Sequence, residues 1–433
     1  MIQKYYIYSE SNQTEICFYI LCQEDTNFDL IINILSRNGK YHITKNRRLL
    51  SGIEIGPRVN FKTAWCNTML EIFLQSDIEG VETIEYSIKY RKKEDIRNYD
   101  KMLFTQYSDT YFENSYSQDT IINDNIRDVD IVKYNREEGL GMDDMDIVSY
   151  QKLFKELGRK PTNVELYDLS QCNSEHARHW YFKGKLSGIA KSLFDRIKSC
   201  YNISKHLTSL VSFYDNASVV KGGYTQEYII SKTLLYEERL LRLHYSYKAE
   251  THNFPTGISP FPGAATGSGG RIRDLLCVGK GGELIAGTAG YCVGDIFGSD
   301  KNYDFVYHHP LNILIEASNG ASDYGNKIGE PLIQGFTRSF RQDTKDNRRI
   351  EWLKPIMFSG GMGKIVDYNI KKKQPEVGHL IVRIGGPAYR IGIGGGSASS
   401  RTQDNLNRES DFNAVQRGDP LMANKIAKFL QTV

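Results

Sequence analysis

Apolar and polar residues alternate with a period of two in several short runs and with a period near 3.6 in others, which predicts a mixed α+β and α/β chain of several domains. In the first 92 residues, strand-like runs at 5–9 and 15–21 accompany a helical pattern at 60–75, as in a small α+β domain. Residues 91–135 are polar and irregular and predict a connector. The first predicted domain, with its connector, therefore covers residues 1–135.

Two helices are predicted next. Residues 144–157 repeat apolar side chains at helical spacing, and Gly158 follows as a C-terminal cap. The predicted apolar face consists of Ile147, Tyr150, Leu153, Phe154 and Leu157. A second helix begins at Pro161 to Asn163, with proline or threonine in the capping turn. These helices predict a helical linker domain over residues 136–210.

After Ser212 the pattern changes to short β-rich runs separated by glycine-rich loops. The runs are VSFYDNASVV, EYIIS, HYSYKAET, ILIEAS and HLIVRIG. Strands, helices and glycine-rich loops together predict a catalytic α/β core at 211–375. A break near KKKQPEVG starts a last segment, 376–433, which ends in the helix DPLMANKIAKFLQTV. That segment is short for a domain, so we expect a fold that is incomplete at its C-terminus.

Composition narrows the function classes. The 433 residues are 40% hydrophobic and carry a net charge of only +3, which gives no electrostatic signature of binding to nucleic acid or an anionic membrane. Seven cysteines are scattered without paired or CxxC spacing, which is typical of reduced thiols. With no signal peptide or membrane span in the pattern, a cytosolic protein is expected.

The segment KAETHNFPTGISPFPGAATGSGGRIRD, residues 248–274, carries the main candidate chemistry. Strand alternation predicts that Lys248, Glu250 and His252 share one face. Glu250 and Asp274 are hard oxygen ligands suited to Mg²⁺, and Lys248 and Arg273 could neutralise phosphate charge. The glycines offer unobstructed backbone N–H groups for a phosphate, although no Walker A or GxGxxG pattern is present. The alternatives are a surface loop and a solvated edge strand with one ion pair.

The segment SQCNSEHARHW offers three kinds of chemistry. Cys172, His176 and His179 could ligate zinc, although no fourth ligand is obvious. Cys172 with His176 could form a thiolate nucleophile and its base. His176 beside a transferred phosphate, in charge stabilisation or proton transfer, is the interpretation we favour. Surface histidines without a chemical role remain the fourth alternative.

Two further segments are candidates for ligand contacts. GGPAYRIGIGGGSASS, residues 385–400, predicts a second anion site in which Ser397, Ser399 and Ser400 act as N-cap donors, or simply a tight turn. VQRGDP, residues 415–420, presents Gln416 and Arg417 to a ligand, or only caps the last helix.

These motifs, in this order, resemble the large single-chain phosphoribosylformylglycinamidine synthases of purine biosynthesis, particularly the eukaryotic type. Other shared motifs are GPRVNF, AGTAGYC, NGASDYGNKIGEP and KPIMFSGGMG. The resemblance covers the chain from about Gly56 to its end. It implies an N-terminal α+β module, a helical linker and an ATP-binding core of the aminoimidazole-ribonucleotide-synthetase type.

The resemblance also implies a reaction. ATP phosphorylates the amide oxygen of formylglycinamide ribonucleotide, and ammonia then displaces phosphate to give formylglycinamidine ribonucleotide. The ammonia comes from glutamine in a glutaminase domain. The implied cofactors are ATP and Mg²⁺, and no nucleic-acid or membrane partner is expected.

Site residues follow from matching the motifs position by position. His176 and His252 are implied as catalytic, with His252 as proton acceptor, and Glu250 and Asp274 as magnesium ligands. Thr251, Asn253, Arg273 and Gln416 are implied as contacts to the ribonucleotide substrate. The predicted ATP-binding residues are Lys248, His179, Gly263, Ala264, Ala265, Thr266, Gly267, Ser268, Gly269, Gly270, Arg271, Ile272, Arg273 and Asp274.

The chain departs from its relatives at a few positions. Ala177 stands where many have Cys or Ser, and Phe254 replaces the second His of the bacterial ETHNHP motif. Relatives continue into a second synthetase half and a glutaminase, so we expect little or no activity from this chain alone. The alternatives are a non-catalytic ATP-binding or assembly module and, more remotely, a selenophosphate synthetase or thiamine-phosphate kinase, whose relatives lack the SEH segment.

Overall fold

The structure is a computed structural model, and it shows a mixed α/β chain. It describes residues 2–9, 13–36, 39–59, 62–96, 99, 104–108, 110–112, 125–174, 176, 179–203, 208–231, 233, 235–298, 307–346, 348–385, 391–403 and 407–432. Two compact units divide the chain: residues 1–124 with 389–391, and residues 125–388 with 392–433. The finer division into four domains stays a prediction.

The first unit is built on a five-stranded antiparallel sheet in the order β1-β2-β4-β3-β5. Its strands and helices, in chain order, are β1 Ile2–Ser9, β2 Thr14–Cys22, α1 Phe28–Leu35, β3 Ile53–Pro57, α2 Ala64–Gln75, β4 Val81–Tyr90 and β5 Phe104–Gln106. The two strands and the helix predicted from the sequence are confirmed. The predicted connector is partly wrong, because β5 lies within it and pairs with β3.

The first unit has a core on each face of its sheet. Phe73 on α2 and Ile31 on α1 pack over Ile20 on one face. Tyr19 and Phe112 stack on the other face, with ring centroids 4.5 Å apart. Alternating side chains along β2 supply both cores, since successive residues of a strand point to opposite faces.

Helices open the second unit. They are α3 Ile131–Glu137, α4 Asp144–Glu156, α5 Asn163–Cys172, α6 Trp180–Lys183 and α7 Leu193–Ile203. Thr162 caps α5 through a capping box with Glu165, as its position before the helical pattern predicts. On α4, Tyr150 and Phe154 are buried, but Leu153 and Leu157 are 40% and 54% exposed, so the predicted apolar face is too wide.

A seven-stranded sheet forms the centre of the second unit, in the order β11-β10-β14-β9-β7-β6, with β8 paired to β9. The elements in chain order are β6 Ser209–Val211, β7 Ser218–Val220, β8 Tyr224–Ile230, β9 Tyr236–Thr251, α8 Asn253–Ile258, α9 Pro260–Leu276, β10 Glu283–Val293, α10 Pro310–Ile328, β11 Leu332–Ser339, β12 Arg341–Asp343, β13 Arg349–Glu351 and β14 Ile356–Val366. Ala264 of α9 and Ala317 of α10 pack together over Met357 of β14. These two helices therefore cover one face of the sheet.

Three short helices complete the unit: α11 Gly395–Ser400, α12 Arg408–Ala414 and α13 Pro420–Thr432. The last confirms the predicted C-terminal helix. Two predicted β-rich runs are wrong. Residues 313–318 lie inside α10, because Ile313, Ala317 and Ala321 recur at helical spacing on its buried side. Residues 379–385 form no strand, and Leu380 and Ile381 are almost fully exposed.

All seven cysteines are free. Within the part of the chain that the structure describes, no helix is long and apolar enough to cross a membrane.

Candidate active site

The C-terminal end of β9 presents alternate side chains to helix α9. Tyr245, Tyr247 and Ala249 are exposed, whereas Lys248 and Glu250 are partly buried on the opposite face. On that face each side chain meets α9 in turn. The predicted sharing of one face by Lys248, Glu250 and His252 is therefore confirmed.

Lys248 joins the two predicted metal ligands. Its Nζ lies 2.7 Å from Oδ2 of Asp274 and 3.8 Å from Oε2 of Glu250. The other carboxylate oxygen of Asp274 accepts a hydrogen bond from Nδ2 of Asn216 at 3.3 Å. About a quarter to a third of each side chain of this trio is exposed, so the cluster lies at the surface of the unit.

The electrostatics of the cluster favour a further cation. Burial raises the pKa of Glu250, Lys248 lowers it and the neighbouring Asp274 carboxylate raises it again. Two carboxylates that share one lysine still repel each other, and a divalent ion bound by both would relieve the repulsion. A pair of carboxylates suits Mg²⁺, which is usually held by one or two carboxylates together with substrate phosphates.

His252 lies where β9 passes into α8. Its backbone N–H donates to the Met357 carbonyl at 2.8 Å, which ties it to β14. Its Nδ1 lies 2.5 Å from the Gly263 carbonyl oxygen, which can only accept, so Nδ1 carries the proton and Nε2 keeps its lone pair. Burial lowers the pKa of His252 to about 4, the Gly263 hydrogen bond opposes that shift and Arg273 adds to it. The imidazole is therefore neutral at pH 7, with Nε2 as a proton acceptor.

The predicted phosphate-cradling loop is wrong. Residues 260–276 form the continuous helix α9, and most of them, from Pro262 to Gly269, are buried. Within a helix, backbone N–H groups bond to preceding carbonyls, as that of Gly263 does to the Ser259 carbonyl at 2.8 Å. The N–H groups within the helix are therefore not available to a phosphate.

The glycines of α9 instead allow close packing. A Cβ atom on Gly263 would lie 2.4 Å from the Pro255 carbonyl oxygen, and one on Gly267 would lie 2.8 Å from Cβ of His252. One on Gly270 would lie 2.8 Å from Oε1 of Glu250. These three glycines are spaced i, i+4 and i+7, so they form one helical face, which packs against α8 at Gly263, His252 at Gly267 and β9 at Gly270.

Arg271 is fully buried, which is inconsistent with its predicted contact to ATP. Its guanidinium forms a bidentate ion pair with Glu330, in which Nη2 lies 2.6 Å from Oε2, and its Nε donates to Ser359 at 3.3 Å. Both side chains of the pair are 0% exposed. Six more residues of this helix are buried, which argues against their predicted contacts to ATP: Ala264, Ala265, Thr266, Ser268, Gly269 and Ile272. Of the run, only Gly270, Arg273 and Asp274 keep solvent access.

His176 lies in the segment between α5 and α6. Its Nδ1 is 2.5 Å from the Ser174 hydroxyl, and its backbone N–H donates to Oγ of Ser400 at 3.1 Å. Burial lowers the pKa of His176, and His179 lowers it further. The neighbours Glu175, Ala177 and Arg178 lie outside the described residues.

His179 and Cys172 limit the other interpretations of this segment. His179 is exposed at a backbone φ of 54°, and its carbonyl accepts from the N–H groups of Phe182 and Lys183 at the start of α6. Among the described residues no group of three or more His, Cys, Asp and Glu side chains is placed to hold a metal, so the zinc alternative has no support. The Nδ1 atom of His176 contacts Ser174 rather than Cys172, which argues against a thiolate pair.

The residues predicted to contact the substrate do not all lie together. Thr251 is exposed on the face of β9 away from α9. Oδ1 of Asn253 accepts from the Met357 N–H at 3.1 Å, so it joins α8 to β14. Arg273 and Gln416 are exposed, and the Gln416 carbonyl accepts from the Thr266 hydroxyl of α9 at 3.3 Å.

The serines predicted to cap a second anion site lie inside α11 instead. Gly394 is the N-cap residue, at a φ of 87°. The hydroxyls of Ser399 and Ser400 donate to the carbonyls of Gly395 and Gly396, four residues earlier, at 2.6 and 3.4 Å. The predicted N-cap role of Ser397, Ser399 and Ser400 is therefore wrong.

Sequence reasoning missed two residues that support the site. Asn216, in the loop between β6 and β7, holds Asp274. Tyr324 of α10 is buried between α9 and the segment before α13, since Cβ atoms on Gly269 and Gly418 would lie 2.5 and 2.9 Å from its ring. Burial raises the pKa of Tyr324, whereas Arg273, which interacts with its hydroxyl, lowers it. Only the three-dimensional contacts identify these residues.

Comparisons with known proteins show what this chain is similar to. A family model described as the formylglycinamide ribonucleotide amidotransferase linker domain matches residues 131–179. Over 88% of its length the chain is 40% identical to the probable phosphoribosylformylglycinamidine synthase, chloroplastic/mitochondrial, of Arabidopsis thaliana, and covers 29% of that protein. It is 39% identical to the phosphoribosylformylglycinamidine synthase of Homo sapiens, again over 88% of the chain and 31% of the relative.

Over most of its length the chain is thus similar in sequence to the eukaryotic phosphoribosylformylglycinamidine synthases. It spans 29% to 34% of the length of five curated eukaryotic relatives. Among solved structures, Thermotoga maritima PurL complexed with FGAR matches with a TM-score of 0.43 and 25% identity, over 65% of this chain and 36% of that one.

Proposed function

We propose that this chain takes part in the ATP-dependent amidation of formylglycinamide ribonucleotide to formylglycinamidine ribonucleotide, a C–N bond-forming ligase reaction of purine biosynthesis. The observation that carries the proposal is the convergence of Lys248, Glu250, His252 and Asp274 where β9 meets α9. Homologues with about 40% identity over most of the chain bear the name of this synthase.

The proposed fold of the second unit is a helical linker over 136–210 followed by a core of the aminoimidazole-ribonucleotide-synthetase type. The core comprises residues 211–375, with part of a second domain at 376–433. Support comes from the mixed sheet covered on one face by α9 and α10, and from the linker match at 131–179.

ATP is the proposed phosphoryl donor, and the site residues that keep solvent access have separate proposed roles. Lys248 and Arg273 neutralise phosphate oxygens, and His179 contacts the nucleotide. Glu250 and Asp274 would hold Mg²⁺, which would supply positive charge to neutralise the phosphates during transfer. Phosphoryl transfer depends mainly on such positioning and charge neutralisation.

The two histidines have separate proposed roles. His252 presents a neutral Nε2 as the proton acceptor for the attacking ammonia, and its low pKa makes it a weak base until an anionic ligand binds nearby. His176 stabilises the transferred phosphoryl group or exchanges a proton with it. Arg273 and Gln416 would contact the ribonucleotide, and Asn253 would orient the start of α8.

Ammonia is proposed to come from glutamine in a glutaminase domain of the whole enzyme. No nucleic-acid or membrane partner is proposed. A cytosolic location is also a proposal, and the Arabidopsis relative is named chloroplastic/mitochondrial.

A chimera tests this function. Residues 1–433 would replace the matching segment of the Dictyostelium discoideum synthase, to which the chain is 40% identical over 415 residues. We expect ATP-dependent formation of formylglycinamidine ribonucleotide with glutamine or with ammonium, and loss of both in His176→Ala and His252→Ala. Unchanged turnover in His176→Ala would contradict its catalytic role.

The second candidate is a module that binds ATP or supports assembly without catalysing the reaction. It is favoured by Lys248, which already forms ion pairs with Glu250 and Asp274, and by the weak basicity of His252. Phosphate release by the purified chain, supplied with ATP, Mg²⁺, formylglycinamide ribonucleotide and ammonium, tests this second candidate. We expect little or no release from the chain alone, and clear turnover would exclude an inert module.

A further inference from the structure

The short helix α11 contacts the segment that carries His176 through hydrogen bonds between residues far apart in sequence. Nε2 of Gln171, on α5, donates to the Ser397 hydroxyl at 2.9 Å. The Ser397 backbone N–H donates back to Oε1 of Gln171 at 3.1 Å. This reciprocal pair fixes the end of α5 on α11, five residues before His176.

His176 itself rests on the same helix. Its backbone N–H donates to Ser400, one turn beyond Ser397. A Cβ atom on Gly396 would lie 3.0 Å from the Gln171 carbonyl oxygen and 3.3 Å from Cε1 of His176. A bare backbone at Gly396 therefore lets the imidazole and the end of α5 approach α11 closely.

The opposite side of α11 meets the helix that follows His252. Ala398 packs in one apolar cluster with Phe254 and Ile258 of α8. Nζ of Lys354 donates to the Ser399 carbonyl at 3.0 Å. The six residues of α11 thus lie between the His176 segment and the element that begins at Asn253, directly after His252.

We infer that Gln171, Gly396 and Ser400 are positioning residues for His176, and that α11 is the support that sets the His176 imidazole relative to the His252 segment. The inference rests on the proposed function for the role of His176, since a fixed imidazole serves a reaction only if His176 takes part in one. Its structural content, the dependence of the His176 environment on three residues of α5 and α11, can be measured without any reaction.

Histidine-selective ¹⁵N NMR of the 433-residue chain provides the test. Ser400→Ala removes the acceptor of the His176 backbone N–H, and Gln171→Ala removes the reciprocal pair with Ser397. The ring signals of His176 should therefore shift in both variants. Assignment comes from the signal lost in His176→Gln. Gly396→Ala, which displaces the ring, should also move the signals.

Two matched control variants accompany these substitutions. Ser399→Ala removes a hydroxyl whose hydrogen bond, among the described residues, goes to the Gly395 carbonyl of α11 itself. Gly223→Ala adds a Cβ where nothing lies within 4 Å. Both should leave His176 unchanged. His176 signals that superimpose on wild type in Ser400→Ala and Gln171→Ala would overturn the inference.

Failure of the proposed function would appear elsewhere, as full activity of the chimera carrying His176→Ala. An unfolded variant would show as collapsed dispersion of all histidine signals, and in that case Ser400→Ala, the smallest change, decides. If the signals of the other histidines keep their positions and those of His176 shift, the inference holds. If no signal shifts, the inference is wrong.

Discussion

Removing the charge of Arg271 tests whether α9 is a structural helix or a phosphate-binding segment. Arg271→Met keeps most of the aliphatic stem and leaves the Glu330 carboxylate buried without its partner. Both side chains of the pair are 0% exposed, and the guanidinium is bidentate. Breaking such a buried pair costs about 3–5 kcal/mol.

Hydrogen exchange of α9 and β14 amides measures this cost as a change in the local opening free energy. The exposed pair between Lys133 and Glu137, at 3.7 Å, is the control. Lys133→Met should lose about 0.3–0.5 kcal/mol. The double variant Arg271→Met with Glu330→Leu should recover much of the loss, because no charge then remains buried.

The assignment of α9 as a structural helix is wrong if its amides exchange as slowly in Arg271→Met as in wild type while ATP binding is weakened. That result would mean that Arg271 is exposed and contacts the nucleotide. A loss of α9 protection with no recovery in the double variant would also contradict it, since the damage would then not come from an unpaired charge.

Two other predictions follow from α9 and β9. His252 has an ordinary pKa of 6.5 and a folded-state pKa of about 4, so protonation favours the unfolded chain. The contribution of His252 to the free energy of unfolding is fully present above about pH 6.5 and falls by up to about 3 kcal/mol as the pH drops towards 4. Urea unfolding should therefore depend less on pH in His252→Phe than in wild type. An identical pH dependence in the two proteins would refute this. Gly267→Ala places a Cβ 3.0 Å from Sδ of Met357 as well as against His252, so thermal unfolding should show a loss of about 1–3 kcal/mol, with Gly223→Ala near neutral; equal melting of the two variants would contradict the packing.

Local patterns predicted the elements whose signals are complete within the sequence. Strands β1 and β2 alternate, α5 carries its capping box, and β9 shows on which face Lys248, Glu250 and His252 lie. Helix α9 was misassigned because glycine has a low helix propensity. The i, i+4, i+7 spacing of Gly263, Gly267 and Gly270 is the sequence signal that could have identified it. In this helix the close packing that the glycines allow outweighs their low helix propensity.

Other parts of the site depend on contacts that no local pattern encodes. Gln171 and Ser397 are separated by 226 residues, and Asn216 reaches Asp274 across 58. Residues 313–318 show a different difficulty, because a short apolar run fits a strand and a buried helix equally well.

Binding of MgATP to the 433-residue chain tests the central claim most directly, namely that Lys248, Glu250 and Asp274 form a nucleotide and metal site. Calorimetric titration should give a measurable dissociation constant for wild type, and Lys248→Met and Asp274→Asn should each weaken it about tenfold or more, equivalent to about 1.4 kcal/mol. Lys327→Met, on the exposed side of α10 in an ion pair with Asp323, should bind as wild type does. Equal affinity in all four proteins would contradict the assignment of this cluster.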